Sequence, residues 1–212
     1  MKSFPDSLAD RYRRFKFRHF TPNAAHYERL ATQGQDPQTM VISCSDSRVD
    51  PETIFSAMPG ELFVLRNIAN LVPPYETGGN YHGVSSAIEF AILNLNLHHL
   101  IVIGHSGCGG IKAAWDQNAA VQTEAQFISR WMSMLDEARL AVLRSNPNAS
   151  PEAKQRALEQ EGVMQSLKNL RTFPFVRERE EKGTLQLHGA HFDIASGMLS
   201  VYDNETKVFQ PL

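Results

Sequence analysis

The chain has 212 residues and a mass of 23.8 kDa, enough for one sizeable core and cramped for two. Hydrophobic residues make up 42% and charged residues 21%, and the formal net charge of −2 gives no bulk electrostatic reason to bind nucleic acid or an acidic membrane. Neither a signal-peptide-like apolar core nor an apolar run of membrane-spanning length occurs, so a soluble, cytoplasmic protein is expected.

Residues 6–20 set Arg11, Arg13, Arg14, Lys16 and Arg18 among Tyr12, Phe15, Phe17 and Phe20. Basic residues interleaved with aromatics can mark a nucleic-acid or membrane surface, but no other basic stripe supports that reading. The expectation is an amphipathic helix lying on the body or on a second subunit. Helix continues over 24–31 and ends at the turn Gly34-Gln35-Asp36-Pro37. A strand over 39–43 leads into Cys44-Ser45-Asp46-Ser47-Arg48, and Asp50-Pro51 carries the cap and first-turn chemistry of a helix. After the turn Pro59-Gly60 comes a buried strand, 62–65, and then a loop rich in Pro, Gly and Asn to residue 80. Val84, Ala87, Ile88, Ala91, Ile92 and Leu95 recur at helical spacing over 83–97. The strand 100–103 opens into Gly104-His105-Ser106-Gly107-Cys108-Gly109-Gly110, and a helix begins at Ile111.

From 115 the pattern is helical and polar to about 144, and a turn at 146–151 precedes a helix over 152–171. Strands at 184–189 and 199–203 complete the chain. Alternation of strand and helix predicts an α/β fold, a central mostly parallel β-sheet flanked by helices on both faces. A single domain over 1–212 is expected, with 1–33 as a helical arm and 34–212 as the α/β core.

Both cysteines, Cys44 and Cys108, sit just past the carboxyl end of a buried strand, where open α/β sheets place their ligands. With His105 they make two thiolates and one imidazole, the three-ligand set of a zinc site that keeps a fourth position open. Asp46 stands two residues from Cys44, and Arg48 two further on can hold its carboxylate bidentately. The competitors are weaker. A Cys44–Cys108 disulfide needs an oxidising compartment, the glycine loop lacks the Lys-Ser/Thr of a phosphate loop, and Ser106 beside His105 lacks a spaced acid.

Cys44-Ser45-Asp46-Ser47-Arg48 and Gly104 to Gly110 resemble the two zinc motifs of the β-class carbonic anhydrases. The resemblance runs over roughly residues 25–200, through Pro59-Gly60-Glu61, Arg66-Asn67-Ile68-Ala69-Asn70, Pro73-Pro74-Tyr75, Ala87-Ile88-Glu89-Phe90 and Asn169 to Val176, and is closest to the plant-type branch. It implies zinc on Cys44, His105 and Cys108, with Asp46 and Arg48 as a catalytic dyad. It places Gln35 as a substrate-side amide, with Phe63, Ile68, Phe90 and Gly109 at the CO2 pocket; Phe90 and Phe173 replace tyrosines common in the family. The activity implied is reversible hydration of CO2 to bicarbonate and a proton through zinc-bound hydroxide. A COS or CS2 hydrolase and a non-catalytic zinc-binding protein are the alternatives. A homodimer or larger homo-oligomer is implied, its N-terminal helix wrapped on the partner. The eight histidines do not single out a proton carrier; His82, in an exposed loop, is the candidate taken. In one bacterial branch a bicarbonate pocket stabilises an inactive form with the aspartate on zinc. Here Arg66 is kept, but Val41 and Phe192 stand where that pocket has Trp and Tyr, so Asp46 is expected on Arg48.

Overall fold

The computed structural model describes residues 4–115 and 126–212, which fall into two compact units, Met1–Asp36 and Pro37–Leu212. In the first unit, α1 (Asp6–Phe15) continues through a wider and then a tighter helical turn into α2 (Ala24–Gln33). Tyr27 meets Phe15 edge-on and lies 4.8 Å from the Phe20 ring, so part of the aromatic pattern closes the arm on itself. Neither helix buries a residue, and Leu8, Tyr12 and Phe17 stay exposed.

The second unit runs β1 (Thr39–Cys44), α3 (Pro51–Ile54), β2 (Leu62–Asn67), α4 (Gly83–Asn94), β3 (His99–His105), α5 (Gly109–Trp115), α6 (Gln126–Met132), α7 (Asp136–Ser145), α8 (Pro151–Leu170), α9 (Pro174–Glu181), β4 (Gln186–Phe192), β5 (Leu199–Asp203) and β6 (Val208–Pro211). The Asp50 cap follows the sequence reading, and Ser150 caps α8 in the same way. Asp50 accepts the Thr53 N–H at 3.1 Å and Ser150 accepts the Ala153 N–H at 3.2 Å, each ahead of a first-turn proline. The helix expected beyond 115 lies partly outside the described residues, over 116–125; α6 and α7 continue it. The expected α4 stops at Asn94, three residues early, because Leu95 is already extended.

The strands form one sheet in the order β2-β1-β3-β4-β5-β6, parallel across the first four and antiparallel across the last two pairs. One face is covered by α4, α8 and α9, where Ile88, Ile92, Val163, Leu167, Leu170 and Val176 pack on Met40, Ile42, Leu100 and Val102. The other face carries a separate apolar cluster. There Val41, Ile103 and Ala190 cluster with Leu62, Val64, Ile101, Phe192, Leu199 and Val201, all of them strand residues. A third cluster, with Ala69, Leu71, Ile111, Leu135 and Leu158, encloses Cys44 and Cys108 beyond the carboxyl ends of the strands. Among the described residues no helix is long and apolar enough to cross a membrane.

Candidate metal centre

β1 and β3 are neighbours, but the chain leaves β1 toward β2 on one side and β3 toward β4 on the other. Their carboxyl ends therefore flank the point where the sheet's winding reverses, and loops diverge there to leave a crevice. Ser43 pairs with Ile103, so Cys44 emerges beside Gly104 and is one residue out of step with His105. Gly107 turns the loop back with φ +66°, a conformation side chains disfavour, and returns Cys108 to the same place. Gly110, in the first turn of α5, has no room for a side chain: a Cβ would lie 2.8 Å from Ile68 Cγ2 and 3.1 Å from Ala69 Cβ.

The ligand atoms of Cys44, His105 and Cys108 all lie within 4.8 Å of one another, and the three residues are buried. The two sulfurs are 3.9 Å apart, and both cysteines are free. Tetrahedral zinc with Zn–S near 2.3 Å separates two thiolates by about 3.8 Å, so the spacing suits that ion. His105 Nδ1 lies 3.0 Å from the Ser106 carbonyl oxygen, which can only accept, so Nδ1 carries the proton and Nε2 offers its lone pair. That Nε2 is buried and has no hydrogen-bond partner among the described residues. An orphaned imidazole nitrogen beside two thiols is the donor set that zinc satisfies.

The charge balance points the same way. A hydrogen bond shared between the two sulfurs lowers the Cys44 thiol, against the opposing effect of burial, and the backbone of Asp46 and Ala69 assists. Cys108 is pushed up by that same bond and by burial, so the pair releases one proton readily and holds the second. Ala69 and Asn70 both have positive φ, 61° and 50°, which costs on the order of 1–3 kcal/mol each. The turn is held by Asn67, whose amide accepts the Leu71 N–H at 2.9 Å and donates to the Leu71 carbonyl at 2.8 Å.

At the mouth of the site, Asp46 Oδ2 is 3.9 Å from His105 Nε2. Arg48 donates from Nε to Oδ1 at 2.9 Å and from Nη2 to Oδ2 at 2.6 Å, and its backbone N–H adds a third bond at 3.0 Å. Those Arg48 bonds hold the Asp46 carboxyl well below the usual carboxylate range, against its partial burial. Nη2 also donates to the Gly107 carbonyl at 3.1 Å, tying the two metal loops together. Arg66 has a structural task. Its guanidinium donates to the carbonyls of Cys44, Asp46 and Val49 at 2.7–3.0 Å and pairs with Asp50 at 3.3 Å. With Val41 buried among apolar strand residues, the Arg66 position holds the loop together.

The remaining sequence candidates are spread out. Ile68 touches the metal loop through Gly110, and its carbonyl accepts the Trp131 indole N–H at 2.8 Å. Gly109 opens α5 next to Cys108. Phe63 and Phe90 stack on each other with centroids 5.9 Å apart, but Phe63 pairs with Met40, four residues before Cys44 and so about 13 Å back along the sheet. Gln35 is exposed and belongs to the N-terminal unit. His82 lines a cavity of 810 Å³ that begins at Ser45, Asn67 and Ile68 beside the metal loop; its Nε2 is buried and has no partner among the described residues. Ser106 Oγ accepts the Ile194 N–H at 2.9 Å, a bond that fixes the loop after β3. Sequence reasoning missed Asn67, Arg66 in its clamping role, and Glu159, which accepts the Cys108 N–H at 3.2 Å. Glu159 gives no local signal: it is one of several glutamates on α8, distinguished only by burial.

Comparison with known proteins agrees with this geometry. The family model described as carbonic anhydrase matches residues 39–199. β-Carbonic anhydrase 3 of Arabidopsis thaliana is 38% identical over 195 residues, covering 91% of this chain and 74% of that protein. The structure of the β-carbonic anhydrase CcaA superposes with a TM-score of 0.91 at 32% identity, covering 98% of this chain and 91% of that one. One of two tetrameric β-carbonic anhydrases from the filamentous ascomycete Sordaria macrospora follows at a TM-score of 0.73 and 28% identity, with 92% of each chain covered.

Proposed function

The chain belongs to the β-class carbonic anhydrases, zinc enzymes that hydrate CO2, and from that premise we propose which of its residues do the work. Cys44, His105 and Cys108 hold the metal, and Asp46 with Arg48 directs the attacking water. The observation that carries this is the partnerless His105 Nε2 beside two sulfurs 3.9 Å apart, with an ionised Asp46 oxygen 3.9 Å away.

Zinc, when bound, supplies the Lewis acidity that makes water a nucleophile near neutral pH. Asp46 accepts a hydrogen bond from that water and so turns an oxygen lone pair toward the carbon of CO2. Arg48 fixes both carboxylate oxygens, which keeps Asp46 ionised and leaves it an acceptor rather than a proton carrier. The proton released with bicarbonate leaves toward His82 Nε2 across the cavity that starts at Ser45.

Phe63, Phe90 and Gln35 are proposed to meet the substrate in a homo-oligomer, where a second copy brings them to the metal end of the sheet. Two observations support an oligomer: half-buried Val64 and Val201 on the second sheet face, and an arm with exposed Leu8, Tyr12 and Phe17. We place the enzyme in the cytoplasm, where two unpaired thiols stay reduced.

The test is metal analysis with stopped-flow CO2 hydration on Cys44→Ser and Cys108→Ser. A hydroxyl stays protonated where a thiolate ligates, so both variants should lose most zinc and most activity. Wild-type zinc content in either would overturn the ligand assignment.

A further inference from the structure

Behind Cys108 lies a buried polar unit with no part in the mechanism above. Glu159 on α8 and His191 on β4 are each 2% exposed. Glu159 Oε1 accepts the Cys108 backbone N–H at 3.2 Å and the Gln155 side-chain amide at 2.9 Å, and Oε2 lies 3.1 Å from His191 Nε2. The Gln155 amide also reaches the Cys108 carbonyl at 3.2 Å, where the Lys112 N–H donates as well. Helix α8 thus grips both backbone polar groups of a metal ligand.

A buried carboxyl group is costly unless its oxygens are engaged, and packing alone would be served by an apolar residue such as the flanking Leu158 and Val163. Every oxygen of Glu159 is engaged, and its partners converge on the loop that ends in Cys108. The loop needs such a hold. Gly107 and Gly109 flank the cysteine and impose little restraint of their own, so without an external anchor the thiolate direction would vary.

We propose that Glu159, clasped by His191 and Gln155, is a positioning residue that fixes the Cys108 backbone and thereby aims its sulfur at the metal. The proposal rests on Cys108 being a zinc ligand. Groups that orient metal ligands in this way typically change metal affinity by 10–100-fold when removed.

The experiment compares Glu159→Ala, Glu159→Gln and Gln155→Ala by chelator competition on the zinc enzyme. The thiolate-to-metal absorption of the cobalt-substituted enzyme supplies a second readout. Glu159→Ala should weaken zinc binding about 10–100-fold and shift the cobalt spectrum. Glu159→Gln, which keeps an acceptor for the Cys108 N–H, should recover most of both, and Gln155→Ala should move them in the same direction by less. Wild-type zinc binding and cobalt spectra in folded Glu159→Ala and Gln155→Ala would overturn the proposal, as would a Gln variant as weak as the Ala one. If Glu159→Ala does not fold, Gln155→Ala decides alone. Cys108→Ser, run alongside, separates the two readings: zinc retained there condemns the ligand assignment, whereas zinc lost there with unaffected Glu159 and Gln155 variants condemns only the positioning role.

Discussion

Arg48 holds Asp46 by both carboxylate oxygens, at 2.9 and 2.6 Å, and reaches the Gly107 carbonyl with the same Nη2. One guanidinium therefore sets the direction of the carboxylate and couples the Cys44 loop to the Cys108 loop. Asp46→Ala should keep its zinc and lose about 10–100-fold in kcat/KM, because orientation of water is lost while the ligands remain. Arg48→Ala should lose comparably, its carboxylate being free to swing toward the metal. Stopped-flow CO2 hydration on variants of measured zinc content checks both; full activity in the two would remove the dyad from the mechanism.

The pH dependence of this pair has a definite sign. The Asp46 carboxyl is depressed in the folded chain, chiefly by the Arg48 side chain, so its stabilising effect is complete above its ordinary value near 3.8. It is lost as pH falls through the lower folded value. Asp46 therefore stays ionised throughout the neutral range, and carbon-13 NMR of its carboxyl should show no titration above pH ~5 in wild type. In Arg48→Ala the midpoint should move up toward the ordinary value. A wild-type carboxyl titrating between about pH 5 and 7 would contradict the pairing.

The three candidate metal ligands that the fold brings together stood out in the sequence because each of the two motifs is local. Each of Cys44 and Cys108 follows an uninterrupted apolar strand, and a βαβ chain can only bring such ends to one edge. Asp46 and Arg48 were legible for the same reason, two residues apart on one loop. The supports were not legible. Arg66 meets the carbonyls of 44–49 only through the β1–β2 pairing, and Glu159 meets Cys108 across 51 residues of sequence. Helix α9 escaped because Arg-Glu-Arg-Glu-Glu reads as a solvated run, although Phe175 and Val176 dock it on the core. Strand β6 is four residues ending in proline, too short and polar to signal itself.

His82 lies on the wall of the cavity that opens beside the metal loop, with Nε2 buried and unpartnered among the described residues. If it carries the proton outward, His82→Ala should lower kcat while leaving kcat/KM nearly unchanged, since CO2 attack precedes proton export. Concentrated imidazole buffer should restore much of kcat by carrying the proton instead. A variant with wild-type kcat in dilute buffer would remove His82 from the route.

The half-buried rim of the second sheet face makes the sharpest demand on assembly. Val64 and Val201 lie only half-buried on a face whose centre, Val41, is fully buried. Parallel sheets are normally covered on both sides, and an apolar face of this kind gains about 25 cal/mol for each Å² removed from water. Val64→Lys places an ammonium on that face, at its β2 edge. Its long stem can lie along the surface of an isolated chain, so the fold should survive, but the charge would be buried unpaired in an oligomer. Light scattering coupled to size exclusion should therefore show an oligomer for wild type and a smaller species for Val64→Lys, with the circular dichroism spectrum unchanged. The smaller species should also lose CO2 hydration activity, because Phe63, Phe90 and Gln35 would no longer be delivered by a neighbour. A monomeric wild type, or a monomeric variant with full activity, would show that one chain completes its own site.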